Sequence, residues 1–451
     1  MLRPATPPAD RDEPSQDWHP TRALGRALIL CGILLVGAVL FGRIDLVIVA
    51  VPLAASVAFG LSRRPTTVPG LRLATREEYA TEGSELTTTL RLSNRDTVGY
   101  DLAVARTQHS PWLELAAGGS DGKPDRPVVA ALHRGEAAEV ALTGPATRWG
   151  RHSIGPAAAI AVAGGGLLTC RAVVTGSLGF KVFPVTEPFA ADEAMPRAAG
   201  LVGQHRSRRP GEGGELAGVR QFGPGDRLRR IDWRTTLRTR QLHVARTLSD
   251  RDAEVVLLLD LLTEAGPSTG LSRASSVIDV TVRASAAIAE HYLERGDRVS
   301  LIEYGGSDRR LRAASGRRQY MTILEWLLDC AARQVALVAG ESRLSAAISP
   351  NALVVVMTPL LDARAADMIA GLARAGRFVV TVDTLPPGIE PDAHSPWTRP
   401  AFGIWRLERD NTIGQLREHG VPVVAWAGAG SLDLVLRDVA RMAGRAQGAR
   451  R

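Results

Sequence analysis

The period of hydrophobic and polar positions changes several times along the chain. Residues 1–22 are rich in Pro, Asp and Arg with no apolar repeat, the composition of a disordered tail. Ala23 to Gly42 and Leu46 to Leu61 are then two nearly continuous apolar runs, the first broken only by Arg26. Each is close to the roughly 20 residues that cross a bilayer, and Arg26 can snorkel at one end. The pattern predicts a transmembrane helical hairpin over residues 23–61. A buried hairpin in a soluble core is the competing reading. A cleaved leader is disfavoured, because no small-residue cleavage site separates the two runs.

Residues 66–184 switch to short alternating runs, such as Leu86 to Leu92, Leu102 to Val104 and Ala138 to Leu142, separated by turn clusters like Asn94-Arg95-Asp96. Period two with frequent turns predicts an all-β sandwich of immunoglobulin-like type. Trp149-Gly150-Arg151 and Gly155-Pro156 read as a strand-turn corner. Residues 185–252 form a Pro, Arg and Gly-rich linker followed by a dense motif. From 253 to 445 apolar strands and amphipathic helices alternate. The strands are Glu254 to Asp260, Arg298 to Tyr304, Ala352 to Met357, Phe378 to Val382 and Val421 to Ala425. The helices run from about Ser272 to Arg295, Tyr320 to Arg333, Asp362 to Ala375, Arg409 to His419 and Ser431 to Arg445. This order implies an α/β domain with an open, mostly parallel sheet covered on both faces. Ligand crevices of such sheets lie at the carboxyl ends of the strands, which puts Asp260, Tyr304, Thr358 and Asp383 on one rim.

Charge then orients the picture. The chain of 451 residues carries a formal net charge of +8, and of its 55 basic residues only Lys123 and Lys181 are lysine. Arg3, Arg11 and Arg22 precede the first apolar run, with Arg26 at its start, and Arg63, Arg64, Arg72 and Arg76 follow the second, while Arg43-Ile44-Asp45 between them is nearly neutral. By the positive-inside rule the amino terminus and the large carboxy-terminal part face the cytoplasm, on a two-helix anchor in the cell membrane. Gly122-Lys123 is followed by Pro124, so it is not a P-loop. Cys31, Cys170 and Cys330 form no Cys-x-x-Cys pair, and the nine histidines form no His-Glu-x-x-His pattern. No Gly-x-Ser-x-Gly elbow is present.

The densest motif runs from Gly214 to Arg246. Pro224 and Gly225 suit a tight turn, after which Asp226 can cap a short helix. Asp232 and Trp233 then fall among Arg227, Arg229, Arg230 and Arg234. Val219-Arg220-Gln221-Phe222-Gly223-Pro224-Gly225-Asp226, with Arg230-Ile231-Asp232-Trp233 and Leu237-Arg238, resembles the signature of the bacterial family called domain of unknown function 58. Leu237 stands where that family usually has Ala. The resemblance implies a membrane-anchored amino terminus, a von Willebrand factor A-like carboxy-terminal domain and association with a MoxR-type AAA+ ATPase. It implies no known reaction.

Von Willebrand factor A-like domains normally bind a divalent cation through Asp-x-Ser-x-Ser, a Thr and a further Asp. Here Asp260 is followed by Leu262 and Glu264 at the serine positions, and Thr358-Pro359 replaces Ser-Asp. Asp260, Thr263, Glu264 and Asp362 are the remaining improvised ligands, a poor set for a hard cation. No cofactor is expected. Asp226 and Asp232 could in principle share acid/base work, but the surrounding arginines favour ion pairing. The expectation is therefore a non-enzymatic adaptor in cell-envelope or stress-related protein maturation. In it Gly225, Asp226, Arg230, Asp232 and Trp233 hold the signature together, and Arg220, Arg227, Arg234 and Arg238 present a docking face to the ATPase. Two alternatives remain: a basic surface for nucleic acid or anionic lipid, and an uncharacterised metal-dependent enzyme. Twelve arginines against five acidic residues between Arg206 and Arg251 give the first some weight. The lack of any accompanying nucleic-acid motif counts against nucleic acid.

Overall fold

The computed structural model describes residues 18–118, 126–186, 210–223, 231–248, 254–271, 275–305, 309–331, 344, 346–350, 352–391 and 395–426. The chain divides into two compact units, 1–182 and 183–451.

In the first unit the two apolar runs form helices α1 (Arg22–Phe41) and α2 (Ile44–Ser62), of 20 and 19 residues. Gly42 ends α1 in the left-handed region (φ 63°), and the tight turn between the helices carries an Arg43–Asp45 ion pair. Side chains on several faces point outward, with Ile33, Val39, Ile44 and Ile48 all more than 60% exposed. An apolar surface of this extent is suited to lipid rather than water, and both helices are long and apolar enough to cross a bilayer.

The remainder of this unit is β-structure in two sheets. One has the order β2-β4-β8-β6, from β2 (Gly70–Thr75), β4 (Glu85–Ser93), β6 (Ala116–Ala117) and β8 (Ala137–Pro145). The other is built around the long β9 (Gly150–Ala163), which pairs on one edge with β5 (Tyr100–His109), itself paired with β7 (Val128–Leu132). On its other edge β9 meets β10 (Leu168–Cys170), β11 (Val173–Val174) and β12 (Leu178–Phe183) in turn. Strand β3 (Tyr79–Thr81) lies beside β12. Leu86, Leu90 and Leu92 of the first sheet share one core with Ala103, Ala105, Ile154 and Phe180 of the second.

Two expectations change here. Trp18–Pro20, assigned to a disordered tail, is strand β1 and pairs with β10. Gly155-Pro156 is not a corner but a bulge inside one continuous strand. Buried positions on β9 are even-numbered through Ile154 and odd-numbered from Ala157, and the register against β5 shifts at the same place. Gly155 has φ 98° there, and a Cβ on it would lie 2.9 Å from the Gly176 carbonyl oxygen.

A buried carboxylate fixes the chain where it enters and leaves the hairpin. Asp96, 4% exposed, accepts the backbone N–H groups of Thr66 and Thr67 at 2.6 Å each. The Thr67 carbonyl in turn accepts the indole N–H of Trp18 at 3.0 Å and the hydroxyl of Tyr100 at 2.9 Å.

The second unit holds a two-stranded hairpin, β13 (Pro210–Gln221) and β14 (His243–Leu248), with helix α3 (Trp233–Thr239) between its strands. It also holds a six-stranded sheet of order β17-β16-β15-β18-β19-β20. The strands are β15 (Glu254–Asp260), β16 (Arg298–Tyr304), β17 (Arg310–Ala314), β18 (Leu353–Thr358), β19 (Phe378–Asp383) and β20 (Val423–Ala425). All neighbours are parallel except β17, an antiparallel edge strand. Central strands β15 and β18 are almost wholly buried, which is why they are continuous apolar runs. The edge strand β17 was not foreseen from the sequence, since Arg310-Leu311-Arg312 alternates weakly and stays partly in solvent.

Beside the sheet the described residues form helices α4 (Val277–Glu294), α5 (Arg317–Leu327), α6 (Ala363–Arg374) and α7 (Thr398–Glu418). Helix α4 starts at a capping box, with Ser276 and Asp279 exchanging side-chain and backbone hydrogen bonds. Helix α7 starts eleven residues earlier than the sequence suggested. Pro400 falls in its first turn, where no N–H is needed, and does not break it. The last expected helix, Ser431 to Arg445, lies outside the described residues.

Asp96→Asn keeps the side-chain size and removes the charge that its donors favour. The change should cost about 1.5–3 kcal/mol, the range for hydrogen bonds to a charged group, and lower the thermal unfolding transition of the full chain in detergent. Burial alone would raise the Asp96 carboxyl, but the Thr67 and Thr66 N–H groups outweigh it and hold the carboxyl below its ordinary value of 3.8. Its contribution is thus complete above about pH 4 and lost as the pH falls through the lowered native value. The gap between wild type and variant should narrow under acid.

Candidate functional site

Two places in the second unit carry the chemistry expected of the sequence. The first is the rim of the six-stranded sheet at the junction of β15 and β18, where connections diverge to opposite sides and open α/β sheets usually bind ligands. Asp260, the last residue of β15, is 2% exposed. Its Oδ2 accepts the Thr358 hydroxyl at 2.6 Å and its Oδ1 accepts the Leu262 N–H at 3.1 Å. Thr358 Oγ1 accepts the Leu360 N–H at 3.0 Å, so the hydroxyl is held in place from behind. Burial is the largest influence on Asp260 and pushes its carboxyl up to about 6 against the two hydrogen bonds.

The neighbouring carboxylates are engaged as well. Asp362 caps α6 and forms a two-pronged pair with Arg364, at 3.0 Å through Nε and 2.6 Å through Nη2. That pairing, first of all, holds the Asp362 carboxyl below its ordinary value. Tyr304, at the end of β16, donates its hydroxyl to the Arg364 carbonyl at 3.2 Å. Asp383 at the end of β19 pairs with Arg409 of α7 at 2.5 Å, and Arg409 Nε also donates to the Pro359 carbonyl at 3.0 Å.

The four improvised cation ligands do not fit a hard cation. Both Asp260 oxygens already accept hydrogen bonds, and Asp362 faces a guanidinium. Glu264 accepts the Ile278 N–H at 3.4 Å, at the start of α4. Thr263 is half-buried beside Leu262, which stands where a ligating hydroxyl would be needed. Among the described residues no group of three or more His, Cys, Asp or Glu side chains could hold a metal ion.

The second place is the signature segment. Asp232 caps α3, accepting the Thr235 N–H at 2.8 Å, while its own N–H donates to the His243 carbonyl at 2.9 Å. His243 N–H returns to the Thr236 hydroxyl at 3.0 Å, so helix and strand are laced together. The Thr235 hydrogen bond is also the main reason that the Asp232 carboxyl sits below its ordinary value. Trp233 behaves differently from the expectation. Assigned to holding the segment together, it is 63% exposed, and Leu237 one turn later is 77% exposed. Arg234 and Arg238 on α3 and Arg220 on β13 are exposed too. Gly225, Asp226, Arg227 and Arg230 lie outside the described residues; the cap of the described helix is Asp232. Sequence reasoning also missed Arg364 and Arg409. Arg364 was legible two residues after Asp362, but the partner of Asp383 comes from an element whose start was misplaced.

Residues 218–386 match the model of the family described as "Protein of unknown function DUF58". This segment joins the signature, the rim and most of the parallel sheet. Uncharacterized proteins of Mycobacterium tuberculosis (strain ATCC 25618 / H37Rv) and Mycobacterium bovis are 34% identical over 125 residues, 28% of this chain. The chain spans 38% of the length of these relatives. Among solved structures, the CARDB domain of a Pyrococcus furiosus protein is 11% identical with a TM-score of 0.18, covering 26% of this chain and 89% of its own. A cohesin module from Clostridium perfringens is 14% identical with a TM-score of 0.21, covering 27% and 100%.

Asp260→Asn tests the rim. The amide preserves a hydrogen bond to Thr358 without a buried charge. The native carboxyl near 6 lies above its ordinary 3.8, so the native state binds this proton more tightly than the unfolded state. Its stabilising effect is present below about pH 4 and lost as the pH rises through 6. The variant should match wild type near pH 4 and exceed it at pH 8, by up to roughly 3 kcal/mol, in thermal unfolding of the full chain at both pH values.

Proposed function

We propose that this chain is a non-enzymatic docking protein held at the cytoplasmic face of the cell membrane. Helices α1 and α2 are its anchor, and the positive flanks place both the amino terminus and the folded units inside. The α/β unit is a von Willebrand factor A-like module. The strand order and the place of Asp260 at the switch point support this reading, as does the family resemblance. Its ancestral cation site has been replaced by hydrogen bonds and arginine pairs. The partner is a MoxR-type AAA+ ATPase, an assignment that rests on the resemblance, and the process is maturation of cell-envelope or stress-related clients.

The observation that carries the docking reading is the surface of α3. Trp233 and Leu237 are exposed together one helical turn apart, flanked by Arg234 and Arg238. A large aromatic beside guanidinium groups has the composition of an interface hot spot. Among the described residues, the hydrogen bonds of Asp232 and His243 do not use these four side chains, so the segment is laced from beneath while they stand exposed.

Reconstitution of the full chain with a MoxR-type ATPase from the same cells tests the proposal. A nucleotide-dependent complex is expected, and Trp233→Ala with Leu237→Ala should weaken it on the order of ten-fold or more while leaving the thermal transition in place. Equal binding by the double variant would remove α3 from the interface. Recovery of nuclease-sensitive material alone would favour nucleic acid.

A further inference from the structure

A cleft of about 990 Å³ opens within the first unit, between the base of the helical hairpin and the β-sheets. We propose that it binds one anionic glycerophospholipid of the inner leaflet, phosphate toward Arg63 and Arg134 and an acyl chain against the hairpin. The proposal rests on the reading of α1 and α2 as membrane spans.

The cleft has two chemically distinct walls. One is apolar and helical, formed by Ala23, Ala27, Leu53 and Val57. Leu53 lies nine residues before the end of α2, about 14 Å at 1.5 Å per residue, so this wall runs from the interface into the hydrocarbon. The other is polar and lies at the interface itself, with Arg63, Arg134, His133 and Asp101. Arg63 is the first residue beyond α2, and its guanidinium stacks over the Phe59 ring at 4.4 Å from the centroid. This stacking fixes the exposed group at the mouth of the cleft. A guanidinium suits a phosphodiester because its planar fork can donate two parallel hydrogen bonds. Basic pockets at the cytoplasmic ends of membrane helices are where anionic headgroups are recognised.

Asp101 adds selectivity. Its Oδ2 accepts the Gly166 N–H at 3.1 Å, which fixes a carboxylate in a site that otherwise favours anions. A carboxylate repels a second phosphate but accepts a hydroxyl, so the cleft fits a monoanionic headgroup carrying hydroxyls, such as the glycerol of phosphatidylglycerol. The geometry is built rather than loose. The Thr21 hydroxyl donates to the Gly166 carbonyl at 2.8 Å, and a Cβ on Gly60 of α2 would lie 2.5 Å from the Gly164 carbonyl oxygen. Hairpin and sheet are therefore in close backbone contact beside the cleft.

The test uses the full chain in phosphatidylcholine nanodiscs containing phosphatidylglycerol as a minor component, with native mass spectrometry of the lipid retained per chain. One phosphatidylglycerol should be retained, enriched on the order of ten-fold over the disc composition. Arg63→Gln with Arg134→Gln should abolish the enrichment. Ala27→Trp, which narrows the apolar wall and changes no charge, should abolish retention while the double variant serves as its charge control. Equal retention of both lipids, enrichment unchanged in both variants, or displacement by inorganic phosphate alone would overturn the proposal. Recovery of the chain from cells as soluble material without detergent would instead defeat the membrane reading beneath it.

Discussion

A carboxylate removed from water must be given donors, and in both units this requirement decides where elements can sit. Asp96 at 4% exposure, Asp260 at 2%, Asp279 at 0% and Asp383 at 9% each stand at a junction. Asp96 ties the chain leaving α2 to the first β-unit. Asp279 closes the capping box that starts α4. Asp260 joins β15 to β18 across the switch point, and Asp383 joins β19 to α7 through Arg409. Losing the donor in any of these places would leave a charge stranded in low dielectric, which costs more than the hydrogen bond itself supplies. Each junction is therefore specified by its partner as much as by the carboxylate.

The same requirement explains the character of the sheet rim. A cation at a switch point needs carboxylate and hydroxyl oxygens that face the crevice with lone pairs to spare. Here Thr358 donates to Asp260 and then accepts from Leu360, while Arg364 and Arg409 neutralise the flanking acids. Internal donors occupy the lone pairs that such a cation would need. Asp260, raised toward 6, is buried beneath this rim.

Much of this was legible in the sequence, for stated reasons. Two apolar runs with positive flanks read directly as helices, because a bilayer-length pattern has few alternatives. Glu254 to Asp260 and Ala352 to Met357 read as buried strands because both faces are covered. What escaped were features set by contacts distant in sequence. Trp18 was hidden in a polar tail, since its strand exists only through Cys170 and Thr67. The bulge at Gly155 was mistaken for a corner because Gly-Pro marks both. Helix α7 was cut short at Arg409, although it starts at Thr398 and its first turn tolerates Pro400. For the signature the residue types were apparent and their roles only partly so. Asp232 has the backbone bonds that a cap predicts, whereas no sequence pattern says whether a tryptophan among arginines faces a core or a partner.

The near absence of lysine sharpens the functional argument. With only Lys123 and Lys181 in the chain, almost every positive charge is a guanidinium, which is weakly hydrated, planar and able to stack. Some guanidinium groups are committed to carboxylates, as Arg364 is to Asp362, or to rings, as Arg309 is over Trp326 at 4.1 Å. Others, Arg234 and Arg238 on α3, stand in solvent beside Trp233. A general nucleic-acid surface needs a broad basic stripe tracking a phosphate backbone. Here some described guanidinium groups are drawn into internal pairs, as Arg364 and Arg409 are, and others are spread over the surface, as Arg91, Arg171 and Arg318 are. Positive charge committed to internal pairs is unavailable to a phosphate backbone, whereas the exposed guanidinium groups of α3 stand beside an aromatic side chain.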